Sequence, residues 1–218
     1  MNLWLDNLTA ALNRLPGVGR RSAERMAMYL VEQPEGLMQR LATALLEAEQ
    51  KLVCCERCGA VTEREQNPCP LCTQPRANQA CICVVESPAD IMHLEHTGVY
   101  QGRYHALMGK LSAMHGVGAQ SLGVDALLTR IPVEGIEEII IALGSDVESE
   151  ATVAYLCEQL KPLSVHVTRV DLISAWRDRV DRNEVGTLEK VIAVSYTHLR
   201  AHETTLHLVC RLLLEKKK

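Results

Sequence analysis

Apolar residues recur at helical spacing through residues 3–53. Leu8, Leu12 and Leu15 stand four and three apart, and Ala23, Met26, Ala27 and Leu30 repeat the pattern further on. A Pro-Gly-Val-Gly break, Pro16 to Gly19, separates the two runs. Residues 54–80 are rich in Cys, Pro and polar residues, too irregular for a long helix and too short for a core of their own, so the segment needs a staple. From Cys81 the pattern changes to short apolar runs alternating with helical ones. Strands are predicted at Cys81–Val85, Tyr104–Met108, Glu138–Leu143 and Val165–Val170, and helices at Pro88–His96, Leu122–Arg130 and Glu148–Leu160. That alternation predicts a parallel α/β sheet. Working residues of such sheets sit at the C-terminal ends of strands, where Glu86 and Asp146 fall. There is no internal repeat.

Composition adds exclusions. With 47% hydrophobic and 23% charged residues, the chain of 218 has the balance of a soluble globular protein of one or two small domains. It has no Phe, two Trp and five Tyr, too few for a surface that stacks bases on aromatic rings. Its net charge of −4 makes the whole chain no magnet for nucleic acid, so any basic footprint must be local and directed at phosphates. Met1 to Leu8 carries Trp4 and Asp6 rather than a basic, apolar signal. No apolar run approaches the roughly 18 residues of a membrane span. A cytoplasmic location is expected, and nine Cys there argue against a disulfide framework.

Leu15-Pro16-Gly17-Val18-Gly19-Arg20-Arg21-Ser22-Ala23 has the form of a helix-hairpin-helix turn. Gly17 and Gly19 let the backbone turn tightly and approach a phosphate. The following helix then offers its N-terminal N–H groups to an anion. Arg21 and Arg25, four apart, share one face of it, with Arg14 and Arg20 adding charge. Such contacts position a protein on a phosphate backbone without reading sequence. The plainer reading is a helical hairpin with solvated arginines.

Cys55 and Cys58, then Cys69 and Cys72, form two Cys-x-x-Cys pairs separated by ten residues. Four thiolates close a tetrahedral site suited to Zn²⁺ and leave no open position, so the site is structural. It would supply the stability that residues 54–80 cannot gain from burial. The alternative is redox or incidental thiols. Cys54 could compete with its neighbour Cys55, whereas Cys81, Cys83 and Cys157 read as core residues. Two acidic runs follow, Glu86 to Asp90 and Asp146 to Glu150. Carboxylates gathered at strand ends can hold Mg²⁺ for phosphoryl chemistry. They can equally form a solvated rim, with Glu148 and Glu150 favoured by a helix N-terminus.

The order of these motifs, Leu-Pro-Gly-Val-Gly, four Cys, then Val84-Val85-Glu86-Ser87-Pro88-Ala89-Asp90, resembles the RecR family of recombination mediators. The resemblance runs through most of residues 3–170 and includes Gly102-Arg103-Tyr104, Leu107-Met108-Gly109 and Glu148 to Thr152. It implies a helix-hairpin-helix DNA-binding domain (1–53), a four-cysteine zinc finger (54–78) and a Toprim domain (79–170). It further implies a ring-like homo-oligomer that binds single- and double-stranded DNA and works with RecO and RecF to load RecA onto strands coated by SSB. By position, Arg21 and Arg25 match the family's DNA-contacting residues and the four Cys its zinc ligands. Glu86 and Glu148 match its acidic partner-contacting residues, with Asp146 beside them. Catalytic Toprim enzymes carry an Asp-x-Asp where this chain has Gly144 and Asp146. That loss fits a mediator and argues against a Mg²⁺-dependent nuclease or strand-passing enzyme. The resemblance fails over a divergent segment, 171–194. The stretch Ser195 to Thr204 opens a tail, 195–218, that resembles a translated sequencing adapter. A metal site of His198, His202 and His207 there is disfavoured, because Glu203 is misplaced for a zinc-protease motif.

Overall fold

The computed structural model describes residues 2–33, 36–98 and 100–171. The expectations for the divergent segment past Asp171 and for the tail lie outside them. The chain parts into two compact units between Leu52 and Val53.

The first unit is helical: α1 (Leu3–Leu12), α2 (Arg20–Glu32) and α3 (Leu37–Lys51). Asn2 caps α1, accepting the Trp4 N–H at 3.2 Å. The chain turns between α1 and α2 with Gly17 at φ 77, in the left-handed region that glycine occupies without a steric cost. A second break comes at Gly36, also left-handed, and divides into α2 and α3 what the periodicity reads as one run. The periodic positions do not all go inside. Ala23 and Ala27 are buried, whereas Leu15 and Met26 are exposed, as are Met38, Leu41, Leu45 and Leu46 along α3.

The second unit begins with a small cysteine-bearing segment. Strands β1 (Leu52–Cys54) and β2 (Val61–Glu63) pair as a two-stranded sheet, and α4 (Pro70–Thr73) is a single short helix. The α/β portion follows: β3 (Cys81–Val85), α5 (Pro88–Thr97), β4 (Arg103–Ala106), α6 (Val124–Glu134), β5 (Glu138–Leu143), α7 (Val147–Leu160) and β6 (His166–Asp171). The four strands lie in the order β4-β3-β5-β6, all parallel. β3 is buried along its whole length, as an interior strand covered on both faces must be. Its side chains alternate between two cores. Cys81, Cys83 and Val85 pack with Ile91 and Leu94 of α5 and with the cysteine segment. Ile82 and Val84 pack with Leu127 and Ile131 of α6 and Leu156 and Leu160 of α7.

Helix ends are set by local chemistry. Ser87 and Asp90 form a capping box at α5, where Pro88 opens the helix. Asp146 caps α7 through the Ser149 N–H at 3.1 Å. Gly98 and Gly135, both left-handed, end α5 and α6. β4 stops two residues short of the periodicity's prediction. After Ala106 the chain turns away, with Met108 at φ 63 and Gly109 at φ 144. A non-glycine residue in that region costs roughly 1–3 kcal/mol and persists only where its surroundings over-determine it.

Candidate functional site

In the first unit, Arg21 and Arg25 are exposed on α2, opposite the buried pair Ala23 and Ala27. Arg20 is tied to Glu24 by a solvent-exposed pair at 3.1 Å. The two glycines play different parts. Gly17 supplies the left-handed turn. Gly19 is in ordinary extended backbone at φ −78 and ψ 166, and makes no side-chain cap. A glycine at the N-cap leaves the first turn of α2 uncovered, the arrangement in which helix N–H groups and a basic face meet an anion.

The four predicted ligand cysteines come together in the second unit. All are buried, and their sulfur atoms lie within 4.8 Å of one another. Zinc–thiolate bonds of about 2.3 Å in a tetrahedron place sulfur atoms roughly 3.8 Å apart, so the cluster fits one ion. Cys58 Sγ and Cys69 Sγ stand 3.4 Å apart. Backbone N–H groups point at the sulfurs: Ala60 donates to Cys58 at 3.4 Å and Cys69 to Cys55 at 3.3 Å. Hydrogen bonds from Cys69 and Cys72, then burial, push the Cys58 thiol far up, and the same Cys58 contact lowers Cys69. Without a cation the cluster therefore shares protons; with a dication all four sulfurs can be thiolates. Cys54 is exposed and stands outside the cluster. Cys81 and Cys83 lie in the core, and Cys157 packs at its edge.

The cluster is docked on β4, an edge strand of the sheet. The Ala106 N–H, at the end of β4, donates to the Cys58 carbonyl at 2.8 Å. Gly59, at φ 80, lies so close that a Cβ there would stand 2.8 Å from Ala106 Cβ. Arg130 of α6, side chain nearly buried, gathers the same region. Its Nη1 donates to the Arg57 carbonyl at 2.8 Å, the Tyr104 carbonyl at 3.0 Å and His105 Nδ1 at 3.1 Å. Glu134, only 4% exposed, is shared by three guanidinium groups, pairing with Arg130 at 2.9 Å, Arg57 at 3.2 Å and Arg103 at 2.6 Å. Burial and then the Arg130 charge lower His105 to about 4, against a Gly123 hydrogen bond that raises it. Neutral His105 has Nδ1 free to accept from Arg130 and Nε2–H to donate to the Gly123 carbonyl at 2.8 Å.

The predicted acidic residues separate into four settings. Glu86 and Asp146 meet at one place, with Lys110 between them: Nζ lies 2.9 Å from Asp146 and 3.7 Å from Glu86. The Lys110 hydrogen bond, then that of Ser149, holds Asp146 well below the usual carboxylate range. Burial raises Glu86, with Lys110 opposing. Glu148 turns instead to the following loop, accepting from Ser112 at 2.5 Å. Glu150 pairs with Arg169, and Asp90 is used in capping. Sequence reasoning missed Lys110, Ser112 and the Arg130–Glu134 network. A Gly-Lys step just after a strand end is the only local signal that points to Lys110.

Residues 80–171 match the family model of the Toprim domain, and residues 5–49 that of the RecR helix-hairpin-helix. Similar proteins include recombination protein RecR of Chlorobium luteolum, 44% identical over 169 residues, which are 76% of this chain and 83% of that protein. Recombination protein RecR of Moorella thermoacetica is 45% identical over 166 residues, 76% of this chain and 82% of that protein. The same protein of Bifidobacterium longum is 41% identical over 166 residues, again 76% and 82%. With a RecR helix-hairpin-helix match, a Toprim match and relatives 41–45% identical over more than four fifths of their length, the chain belongs to the RecR family of recombination proteins.

Proposed function

We propose that this chain is a non-catalytic DNA clamp in recombinational repair, working with RecO and RecF to load RecA onto single-stranded DNA. Residues 1–53 contact phosphates through the α2 N-terminus, Arg21 and Arg25. Residues 54–78 are stapled by zinc on Cys55, Cys58, Cys69 and Cys72; an ion with four thiolates has no open position and cross-links without acting on a substrate. Residues 79–170 present Glu86, Asp146 and Glu148 to protein partners. The exposed apolar face of α3, with Met38, Leu41, Leu45 and Leu46, supports assembly with further copies of the chain.

The observation that carries the non-catalytic reading is Lys110. Its ammonium stands between Glu86 and Asp146, two of the four carboxylates (with Glu148 and Glu150) that a Mg²⁺-dependent enzyme would draw on, and Gly144 supplies no further one. The test is incubation of the full chain with supercoiled plasmid and Mg²⁺, run on a gel before and after proteolysis. The clamp predicts retarded plasmid whose mobility is fully restored by proteolysis. Nicked or relaxed product that disappears in Glu86→Gln would overturn it in favour of a Mg²⁺-dependent Toprim nuclease or strand-passing enzyme. Resemblance of fold alone does not decide this, because the same fold hosts both kinds of chemistry.

A further inference from the structure

We infer that the four-cysteine centre is a latch for the acidic strand end: a filled metal site fixes the exit of β4 and thereby holds Lys110 between Glu86 and Asp146. The inference rests on the reading that a metal fills the cysteine site.

The connection is short and made of backbone. The carbonyl of Cys58, the ligand that closes the Cys55–Cys58 knuckle, accepts the Ala106 N–H at 2.8 Å. That bond lies on the outer edge of β4, where no further strand pairs among the described residues. Ala106 is the last residue of β4, and Lys110 follows four positions later. Between them the chain is pinned to the neighbouring strand end. The Leu107 N–H donates to Val85 at 2.9 Å, and the Gly109 N–H to the carbonyl of Glu86 itself at 3.0 Å. Gly123 closes the far side of the loop on the Leu107 carbonyl at 3.0 Å. Left-handed Met108 sits in the middle of this run, a conformation that survives only while both flanks are held. Arg130 is the positioning residue. One guanidinium nitrogen bonds the knuckle carbonyl of Arg57 and the β4 carbonyl of Tyr104, joining the two sides of the latch. The four cysteines pack in one buried cluster with Tyr104 and Ala106 of β4, so an ion that fixes the ligand geometry also fixes the carbonyls of Arg57 and Cys58 presented to that strand. The metal centre and the acidic site, far apart along the chain, are then two ends of one mechanical element.

The test is hydrogen exchange read by mass spectrometry on the full chain, filled with zinc and after a competing chelator has emptied it, with metal content measured alongside. On emptying, amides of residues 106–123 should exchange at least about tenfold faster, the protection of roughly one lost hydrogen bond. Amides of β5, Ile139 to Leu143, should keep their rates. Reductive methylation of Lys110 should rise in step, as its ammonium leaves the two carboxylates. Arg130→Met should give the same loop-selective change while retaining one metal per chain and, when loaded with Co²⁺, its thiolate charge-transfer bands. Unchanged exchange at 106–123 in the emptied protein overturns the latch, as does equal acceleration across β5, which would make the metal a support of the whole domain. Unchanged exchange in metal-loaded Arg130→Met removes Arg130 from the device and overturns the route through it. A purified chain that takes up no metal at all is the separate failure of the zinc reading, and the latch falls with it.

Discussion

Acid should weaken the second unit through His105, and the size of the effect can be worked from its surroundings. His105 is 3% exposed, accepts from Arg130 at Nδ1 and donates to Gly123 from Nε2. Protonation would put a second cation against the Arg130 guanidinium in a buried site, and its pKa is accordingly lowered from 6.5 to about 4. The unfolded chain takes up the proton near 6.5, whereas the folded one resists until about 4. Between those values the unfolded state binds more protons, so stability rises with pH. The contribution is fully present above about 6.5 and is lost as pH falls toward 4. At about 1.4 kcal/mol per pH unit the whole interval is worth roughly 3 kcal/mol. The assay is urea unfolding followed by circular dichroism at several pH values, for the chain and for His105→Gln. Loss of metal from the cysteines in acid is common to both proteins and cancels in the difference. The stability advantage of the histidine form should shrink by roughly 3 kcal/mol from about pH 7.5 to about pH 4. Two stability curves that run parallel over that range would refute the assignment of a buried, neutral His105.

Glu134→Ala should cost about 3–5 kcal/mol in urea unfolding, because it leaves the buried Arg130 guanidinium and the Arg103 beside it without their shared anion; a loss below about 1 kcal/mol would mean the network is solvated. Replacing Arg21 and Arg25 together by Ala should weaken DNA binding and lower the log–log salt slope by roughly 1.5 to 2. An unchanged slope would take the hairpin out of DNA contact. Zinc should bind at about one per chain, release protons as it binds and weaken as pH falls, since thiols must lose protons to become ligands. Isothermal titration in buffers of different ionisation enthalpy reads those protons, and Cys69→Ser should weaken metal binding and lower the cobalt–thiolate band intensity.

What was legible in the sequence is what short-range geometry dictates. Two Cys-x-x-Cys pairs announce a four-thiol cluster because each pair alone fixes two ligands, and the fold had only to bring two pairs together. The continuously apolar run at Cys81–Val85 announces an interior parallel strand because both faces are covered. A glycine-bounded turn before Arg20 announces the start of α2. Helical period, by contrast, does not determine burial. Met26 and Leu15 recur correctly and are exposed, and α3 has no buried residue. Periodicity marks a face that favours cover without saying whether the same chain provides it, which is why the apolar face of α3 bears on assembly.

The acidic residues show the other limit, and it is the one that matters for function. Glu86, Asp146, Glu148 and Glu150 read as one cluster because they fall at the ends of two neighbouring strands. Side chains divide them: Asp146 goes to Lys110 and its helix cap, Glu148 to Ser112 and Glu150 to Arg169. Lys110 and Asp146 are 36 positions apart, and nothing local in either stretch announces the pair. On the reading proposed above, this pair is what sets the chain apart from a Mg²⁺-dependent Toprim enzyme. A divalent ion and a lysine ammonium satisfy the same carboxylates, and an ammonium covalently tethered at about 3 Å competes at a far higher effective concentration than an ion in solution. On the non-catalytic reading proposed for this chain, the loop after the neighbouring strand β4 therefore delivers the cation that Glu86 and Asp146 meet, and that delivery weighs more than the number of carboxylates the motif retains.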